Sequence, residues 1–341
     1  MTRRILVPLM ACFVAAGVLS APATATSGGG DEYRGRQWGL TRIKAPRAWA
    51  ESRGKGTIIA IVDTGVDLGH PDLARNVLAA KGKDVVDGDA DAQDENGHGT
   101  HVAGIAAAVA GNGIGIAGVA PRAKILPVRV LDADGSGSVE GVAAGIRYAA
   151  EHGADVVNLS LGFGGGIGIG ILDGLIGGDL GPIHDAISFA ISKGAVVVVA
   201  AGNDSVDVCD KTAADPMVLC VGSSTRSDTL SSFSNKDGSM KQTYLVAPGG
   251  DGETCDGDIF STVLRTAEHR CSPEAGYAAY AGTSMATPMV AGVAAMLVAE
   301  GMNNKQIVRC ITKTADDLGA DGRDGTFGYG RLNALRAVKA C

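Results

Sequence analysis

Thr57-Ile58-Ile59-Ala60-Ile61-Val62-Asp63-Thr64-Gly65 is the stretch whose reading decides the fold. The run to Val62 is mostly β-branched and has no polar break, the pattern of a strand covered on both faces. A carboxylate ends it and Thr64-Gly65 turns the chain. Asp63 therefore stands at a strand's carboxyl edge, where open α/β sheets place their ligands.

Working outward, strands and helices alternate. The pattern predicts strands at Lys124–Val130, Asp155–Leu159, Ala195–Ala200, Leu219–Gly222 and Tyr244–Ala247, with helices at Val102–Ala110, Ser138–His152 and Pro182–Lys193. Further helices are predicted at Lys305–Thr314 and Leu332–Ala340. Such alternation implies an α/β fold with a mainly parallel sheet flanked by helices. The segment from Gly162 to Gly181 reads as an inserted surface loop at the rim of a site. Gly111-Asn112-Gly113-Ile114-Gly115 is no phosphate loop, because it follows a helix-like stretch where a strand is needed.

At 341 residues the chain fits a single large domain, and its 51 glycines are scattered between apolar runs. Residues 1–25 read as a signal peptide: Arg3-Arg4, an apolar middle broken by Pro8, and Ala23-Thr24-Ala25 before the cleavage point. A membrane anchor would need a longer apolar run. Export is expected, to a secreted, extracellular location, as a monomer with no membrane association after cleavage. Residues 26–37 read as a short flexible arm and 38–341 as the working domain. Losing Arg3 and Arg4 takes the net charge from −7 to −9, which disfavours nucleic acid as a partner. Losing Cys12 leaves six of seven cysteines, an even number that points to disulfides in an exported chain. Their distribution in three neighbouring pairs favours Cys209–Cys220, Cys255–Cys271 and Cys310–Cys341.

Three polar residues sit at the ends of apolar elements: Asp63 after a strand, His98 before a helix, and Ser284 before the helix that follows Gly282-Thr283-Ser284-Met285-Ala286-Thr287-Pro288. Pro288 is read as lying in that helix's first turn. An orienting carboxylate, a base titrating near neutrality and a hydroxyl nucleophile are what acyl transfer by an activated serine requires. A serine at a helix N-terminus also has unpaired N–H groups beside it to meet an oxyanion.

These segments resemble the subtilisin-like serine proteases, closest in motif to the thermitase/subtilisin branch. Ile61 to Asp67 is similar to the family's aspartate motif, Gly97 to Gly104 to its histidine motif, Ala200-Ala201-Gly202-Asn203 to its oxyanion segment and Gly282 to Pro288 to its serine motif. The resemblance implies a three-layer subtilisin-like fold over 38–341. It implies a serine endopeptidase acting on polypeptides, with Asp63, His98 and Ser284 as the triad and Asn203 facing the oxyanion. Ser160-Leu161-Gly162 would pair with an extended peptide and Ala201-Gly202 would wall the pocket, with Asp210 as a candidate for its floor. His101 is taken as structural.

The same resemblance implies no cofactor for catalysis and two candidate calcium sites. One comprises Asp84, Asp87, Asp89 and Gln93 with the Asp91 carbonyl; its alternative is a solvated acidic loop. The other pairs Asp72 with the Asn112 side chain and carbonyls near Ile114 and Ile116, and here the family's N-terminal ligand has no identifiable counterpart. The arm 26–37 is also too short for the folded propeptide such proteases carry. That leaves room for an alternative, an exported protease-fold binding or scaffold protein with little or no turnover.

Overall fold

Along the central strand the side chains divide between two hydrophobic clusters. Ile59 and Ile61 enter one, and Ala60 and Val62 the other. Val196 and Val198 are separated from Val197 and Val199 in the same way. The uninterrupted apolar runs thus reflect burial on both faces of a sheet.

A computed structural model describes residues 30–162, 179–239, 241–266, 269, 271–272 and 275–341. In chain order its elements are α1 (Trp38–Arg42), α2 (Ala45–Ala48), β1 (Ile58–Asp63), β2 (Lys83–Asp84), α3 (His98–Ala107), β3 (Lys124–Arg129), α4 (Val139–Glu151), β4 (Val156–Leu159) and α5 (Gly181–Ser192). They continue as β5 (Val196–Ala200), β6 (Leu219–Ser224), β7 (Thr243–Pro248), β8 (Ile259–Thr262), β9 (Tyr277–Tyr280), α6 (Thr283–Ala299), α7 (Asn304–Thr314) and α8 (Ala334–Ala340).

Strands β1 to β7 form one sheet in the order β2-β3-β1-β4-β5-β6-β7, paired in parallel throughout. Strand β1 has β3 on one side and β4 on the other; the chain passes from β1 to β2 and β3 on the first side and then crosses to β4 on the second, so Asp63 lies where the strand order reverses. Helices α4 and α5 cover one face, while α3, α6, α7 and α8 contribute to the cluster on the other. Strands β8 and β9 form a separate antiparallel pair.

Helix α6 is buried from Met285 to Leu297, which accounts for its lack of a polar face. It approaches its neighbours closely: a Cβ at Gly292 would lie 2.5 Å from Val119 Cβ and 3.2 Å from the Ala106 carbonyl.

Several expectations need correction. Helix α3 starts at His98 and ends at Ala107, so His98 is its first residue and does not precede it. Ser284 likewise lies inside α6, and Pro288 is the sixth residue of that helix, beyond the first turn. The part of the arm that is described is docked: Asp31 and Gln37 are buried, and Tyr33 N–H donates to the Gly115 carbonyl at 2.7 Å. Gln37 exchanges two hydrogen bonds with the Ala117 backbone, at 2.7 and 2.9 Å.

The three cysteine pairs are joined as expected, Cys209–Cys220, Cys255–Cys271 and Cys310–Cys341, with Cα separations of 6.6, 5.3 and 6.1 Å. The signal peptide and most of the Gly162–Gly181 insertion lie outside the described residues. Among the described residues no helix is long and apolar enough to cross a membrane.

Candidate active site

Asp63 ends β1 with no exposure, and its Oδ1 accepts from Thr64 N–H at 2.8 Å and His98 Nδ1 at 2.7 Å. That second bond places the imidazole proton on Nδ1 and leaves Nε2 as the basic nitrogen. Nε2 is itself buried without a hydrogen-bond partner. Helix α3 can bring His98 this close because its second residue is glycine; a Cβ at Gly99 would strike the Gly65 carbonyl.

Burial lowers the His98 pKa, but the Asp63 carboxylate more than offsets this, helped by the charge of Asp94, so the imidazole titrates above the ordinary histidine value. Asp94 is a residue that the motif reading passed over. Its Oδ1 accepts from Thr64 Oγ1, Asn96 N–H and Gly97 N–H, each at 2.9 Å, and its Oδ2 accepts from Thr100 N–H at 2.9 Å. It therefore supplies the cap that Gly97 cannot, and an acidic residue just before a helix start was the available signal. His101 sits one turn on, fully buried, with Nε2–H donating to the Ala278 carbonyl (3.2 Å) and its ring stacked on Tyr280. Burial drives its pKa down to about 3, which keeps it neutral at working pH.

Ser284 and Ser160 exchange hydrogen bonds. Ser284 Oγ donates to the Ser160 carbonyl at 3.1 Å, and Ser160 Oγ donates to the Ser284 carbonyl at 2.9 Å. The second bond is possible because Pro288, four residues on, has no N–H to give that carbonyl. The proline thus frees an acceptor that ties α6 to the segment after β4. Ser160 Oγ is held in turn by Asn158 Nδ2 at 3.0 Å, while Leu161 is buried and Gly162 half-buried.

Asn203 follows β5. Its Oδ1 accepts from Thr283 N–H and Thr283 Oγ1, both at 3.0 Å, which turns the amide's Nδ2 donor away from Thr283. Met285 N–H donates to the Gly282 carbonyl, so the Ser284 N–H is the remaining donor of that turn. Ala201 is buried, and Gly202 adopts φ +103°, with the Asn235 amide packed where a Cβ would go. Asp210 N–H donates to the Ala201 carbonyl at 3.1 Å. The Asp210 carboxylate, however, accepts from Thr212 N–H (2.8 Å) and Thr212 Oγ1 (2.6 Å), capping its own turn instead of offering Oδ1 as a pocket floor.

The acidic loop is arranged differently from the expectation. Buried Arg129 donates to Asp84 (2.6 Å), Asp87 (2.7 Å) and Glu95 (2.5 Å). Asp89 and Asp91 are exposed, with Asp91 N–H on Asp89 Oδ1, and Gln93 Oε1 accepts from Leu68 N–H. A guanidinium thus occupies Asp84 and Asp87, two of the three carboxylates in the expected set, and offsets part of their charge. The donors of this loop do not fit a metal ion as they stand.

The second candidate gains a member. Asp72 is fully buried, accepting from Asn112 Nδ2 (2.6 Å) and Ile116 N–H (2.7 Å). Asp31, from the docked arm, accepts from Gly111 N–H (2.7 Å) and Asn112 N–H (3.1 Å). Burial pushes the Asp72 pKa up to about 6 despite those hydrogen bonds, and the Asp31 charge adds to the rise. Asp31 is the N-terminal partner that the sequence did not identify.

A sequence model of the Subtilase family (Peptidase_S8) matches residues 54–330. The chain belongs to the subtilase family. Thermitase of Thermoactinomyces vulgaris is 43% identical over 307 residues, 90% of this chain and 97% of the relative. A thermophilic serine proteinase of Bacillus sp. (strain AK1) is 42% identical over 307 residues, 90% of this chain and 68% of its own. Among solved structures, a protease of Pseudoalteromonas arctica PAMC 21717 superposes with a TM-score of 0.77 at 30% identity, covering 92% of this chain and 99% of its own. This subtilase is accordingly a serine-type endopeptidase.

The raised pKa of His98 has a signed consequence. If His98 is the base that the sequence leads one to expect, activity needs its neutral imidazole, and the acid limb of kcat/KM is expected above ~6.5, the ordinary histidine value. Asp63→Asn removes the influence that raises the pKa and leaves the burial that lowers it, so the limb of the residual activity moves to lower pH. A pH–rate profile whose limb stays in place in Asp63→Asn contradicts this electrostatic account.

Proposed function

We propose that Ser284 is the nucleophile, His98 the general base and acid, and Asp63 the group that orients the imidazole and stabilises its charged form. The Asp63–His98 hydrogen bond, buried and 2.7 Å long, carries this reading. Ser284 Oγ attacks the scissile carbonyl, its proton passes to His98 Nε2 and from there to the leaving amine, and water repeats the sequence on the acyl-enzyme. Asn203 Nδ2 and the Ser284 N–H face the developing oxyanion, where preorganised donors contribute most.

An extended peptide laid along Ser160-Leu161-Gly162 offers an N–H to the Ser160 carbonyl, the acceptor that Ser284 Oγ otherwise uses. Substrate pairing then releases the hydroxyl toward His98. Ala201-Gly202 forms the facing wall, and the substrates are polypeptides. Residues 1–25 direct export, and the enzyme works outside the cell as a monomer with no membrane or nucleic-acid partner. Membership of the subtilase family, with proteases as relatives, supports turnover over a scaffold without it.

Ser284→Ala tests the mechanism. Peptide hydrolysis by the variant is expected to fall by several orders of magnitude with its melting temperature preserved, because one exposed-side hydroxyl is lost from a helix held by its apolar faces. Hydrolysis at the wild-type rate by Ser284→Ala, purified from a host lacking other proteases, refutes the assignment.

No cofactor takes part in the chemistry. Calcium has a structural place, which we assign to Asp31, Asp72 and Asn112 with neighbouring carbonyls. Two buried carboxylates form a hard oxygen donor pair for that ion, and the Asn112 amide, which here presents Nδ2 to Asp72, would turn its oxygen toward the bound cation. An ion bound only by the folded state stabilises it by ~2.7 kcal/mol at a free concentration ~100 times Kd. Calcium is therefore expected to raise the melting temperature of wild type relative to chelator at constant ionic strength. Asp72→Asn loses that gain, and Asp84→Asn/Asp89→Asn, in the loop already held by Arg129, keeps it. The reverse pattern moves the site to the acidic loop.

A further inference from the structure

Asn203 is held at its tip by Thr283, but the backbone that carries it is held by another residue. After β5 the chain departs from the sheet through Gly202, with φ +103°, and Ser205, with φ +59°. A non-glycine residue in the left-handed region is unfavourable without support from its surroundings. Here the support is a segment after β6 that runs beside 201–206, and Asn235 is its centre.

Every hydrogen-bonding group of Asn235 engages that stretch or its backing. Oδ1 accepts from Asp204 N–H (2.8 Å) and Val206 N–H (3.2 Å). Nδ2 donates to the Ala201 carbonyl (3.0 Å) and to Asp204 Oδ2 (3.3 Å). The Asn235 N–H donates to the Gly202 carbonyl at 2.9 Å, and its own carbonyl accepts from the Tyr244 hydroxyl at 3.0 Å. The residue is 4% exposed, so these bonds form away from competing water.

We propose that Asn235 is a positioning residue for the oxyanion hole. Its side-chain amide holds the chain at 201 before Asn203 and at 204 and 206 after it, its backbone N–H holds the carbonyl of 202, and together they fix where the Asn203 Nδ2 donor points. The chemistry of the position supports this reading. An amide supplies two donors and a two-lone-pair acceptor in one plane, which matches the two N–H groups, one carbonyl and one carboxylate it meets. Alanine would remove the shared acceptor of the Asp204 and Val206 N–H groups and one of the two donors to the Ala201 carbonyl, the other being Asp210 N–H. Aspartate would keep the acceptor but set a second carboxylate against Asp204. The same amide lies where a Cβ of residue 202 would go, which ties the glycine of the pocket wall to this contact.

The inference rests on the reading of Asn203 as an oxyanion donor, and a double-mutant cycle separates the two. kcat, KM and melting temperature are measured for wild type, Asn203→Ala, Asn235→Ala and the double variant on a peptide anilide. Asn203→Ala is expected to cost ~10²–10³ in kcat, a range measured in subtilisin itself. Asn235→Ala is expected to cost ~10- to 100-fold in kcat, the effect of a donor misplaced by about an ångström, with KM nearly unchanged. In the Asn203→Ala background the same substitution is expected to cost little more, because the donor it positions is gone.

An equal loss from Asn235→Ala in both backgrounds, or a lowered melting temperature with kcat intact, overturns the inference while leaving Asn203 in its role. An undiminished kcat in Asn203→Ala overturns both. Should Asn235→Ala fail to fold, Asn235→Asp, of nearly the same shape, is taken through the same cycle, with a smaller loss in kcat expected to vanish in the Asn203→Ala background.

Discussion

Asp63 is an ionisable carboxylate with no exposure at the end of the central strand, and such a group is tolerated only with hydrogen bonds and an opposite partner. One oxygen receives the Thr64 amide and the His98 imidazole, and the other has no partner within the protein. The arrangement therefore favours any state in which the imidazole carries charge. That is the state through which proton transfer from a serine passes. The close seat of α3 on the β1 turn, the glycine at position 99 and the Asp94 cap all serve to bring His98 into that one bond.

Helix α6 answers a second demand, to hold a hydroxyl and its own backbone N–H at the sheet's carboxyl edge beside the Asn203 amide. Its burial on all sides fixes its axis, and the Ser160–Ser284 exchange fixes its first turn against the strand that a substrate would extend. Pro288 contributes by what it lacks. A residue with an N–H at that position would bring a second donor to the Ser284 carbonyl that Ser160 now holds without a helical competitor.

Much of this was legible in the sequence where burial imposes a periodic signature. The strands from Ile58 to Val246 appeared as unbroken apolar runs because both faces are covered, and Asp63 stood at the end of one while His98 and Ser284 stood at the starts of buried helices. Strand β2, two residues long, leaves no such signature. The β8–β9 pair escaped because Ser261 and Thr262 are polar, though both are buried and donate to the His101 and Thr100 carbonyls of α3. Asp31, Arg129 and Asn235 were silent for another reason. Each acts on partners distant in sequence, 80 residues for Asp31 and Gly111, and no local pattern records such a meeting. Arg129 in particular changes the meaning of the acidic loop, since Asp84 and Asp87, read as calcium ligands, are held by a cation already in the protein.

The central claim is that Ser284 is made nucleophilic by a base that Asp63 holds in place, and covalent labelling reads that property without reference to any substrate. A fluorophosphonate probe applied to the wild-type enzyme, followed by peptide mapping, is predicted to modify Ser284 alone, and the labelling rate is predicted to collapse in His98→Ala while the fold persists. Modification of a different serine, or labelling of Ser284 at an undiminished rate in His98→Ala, would contradict the account.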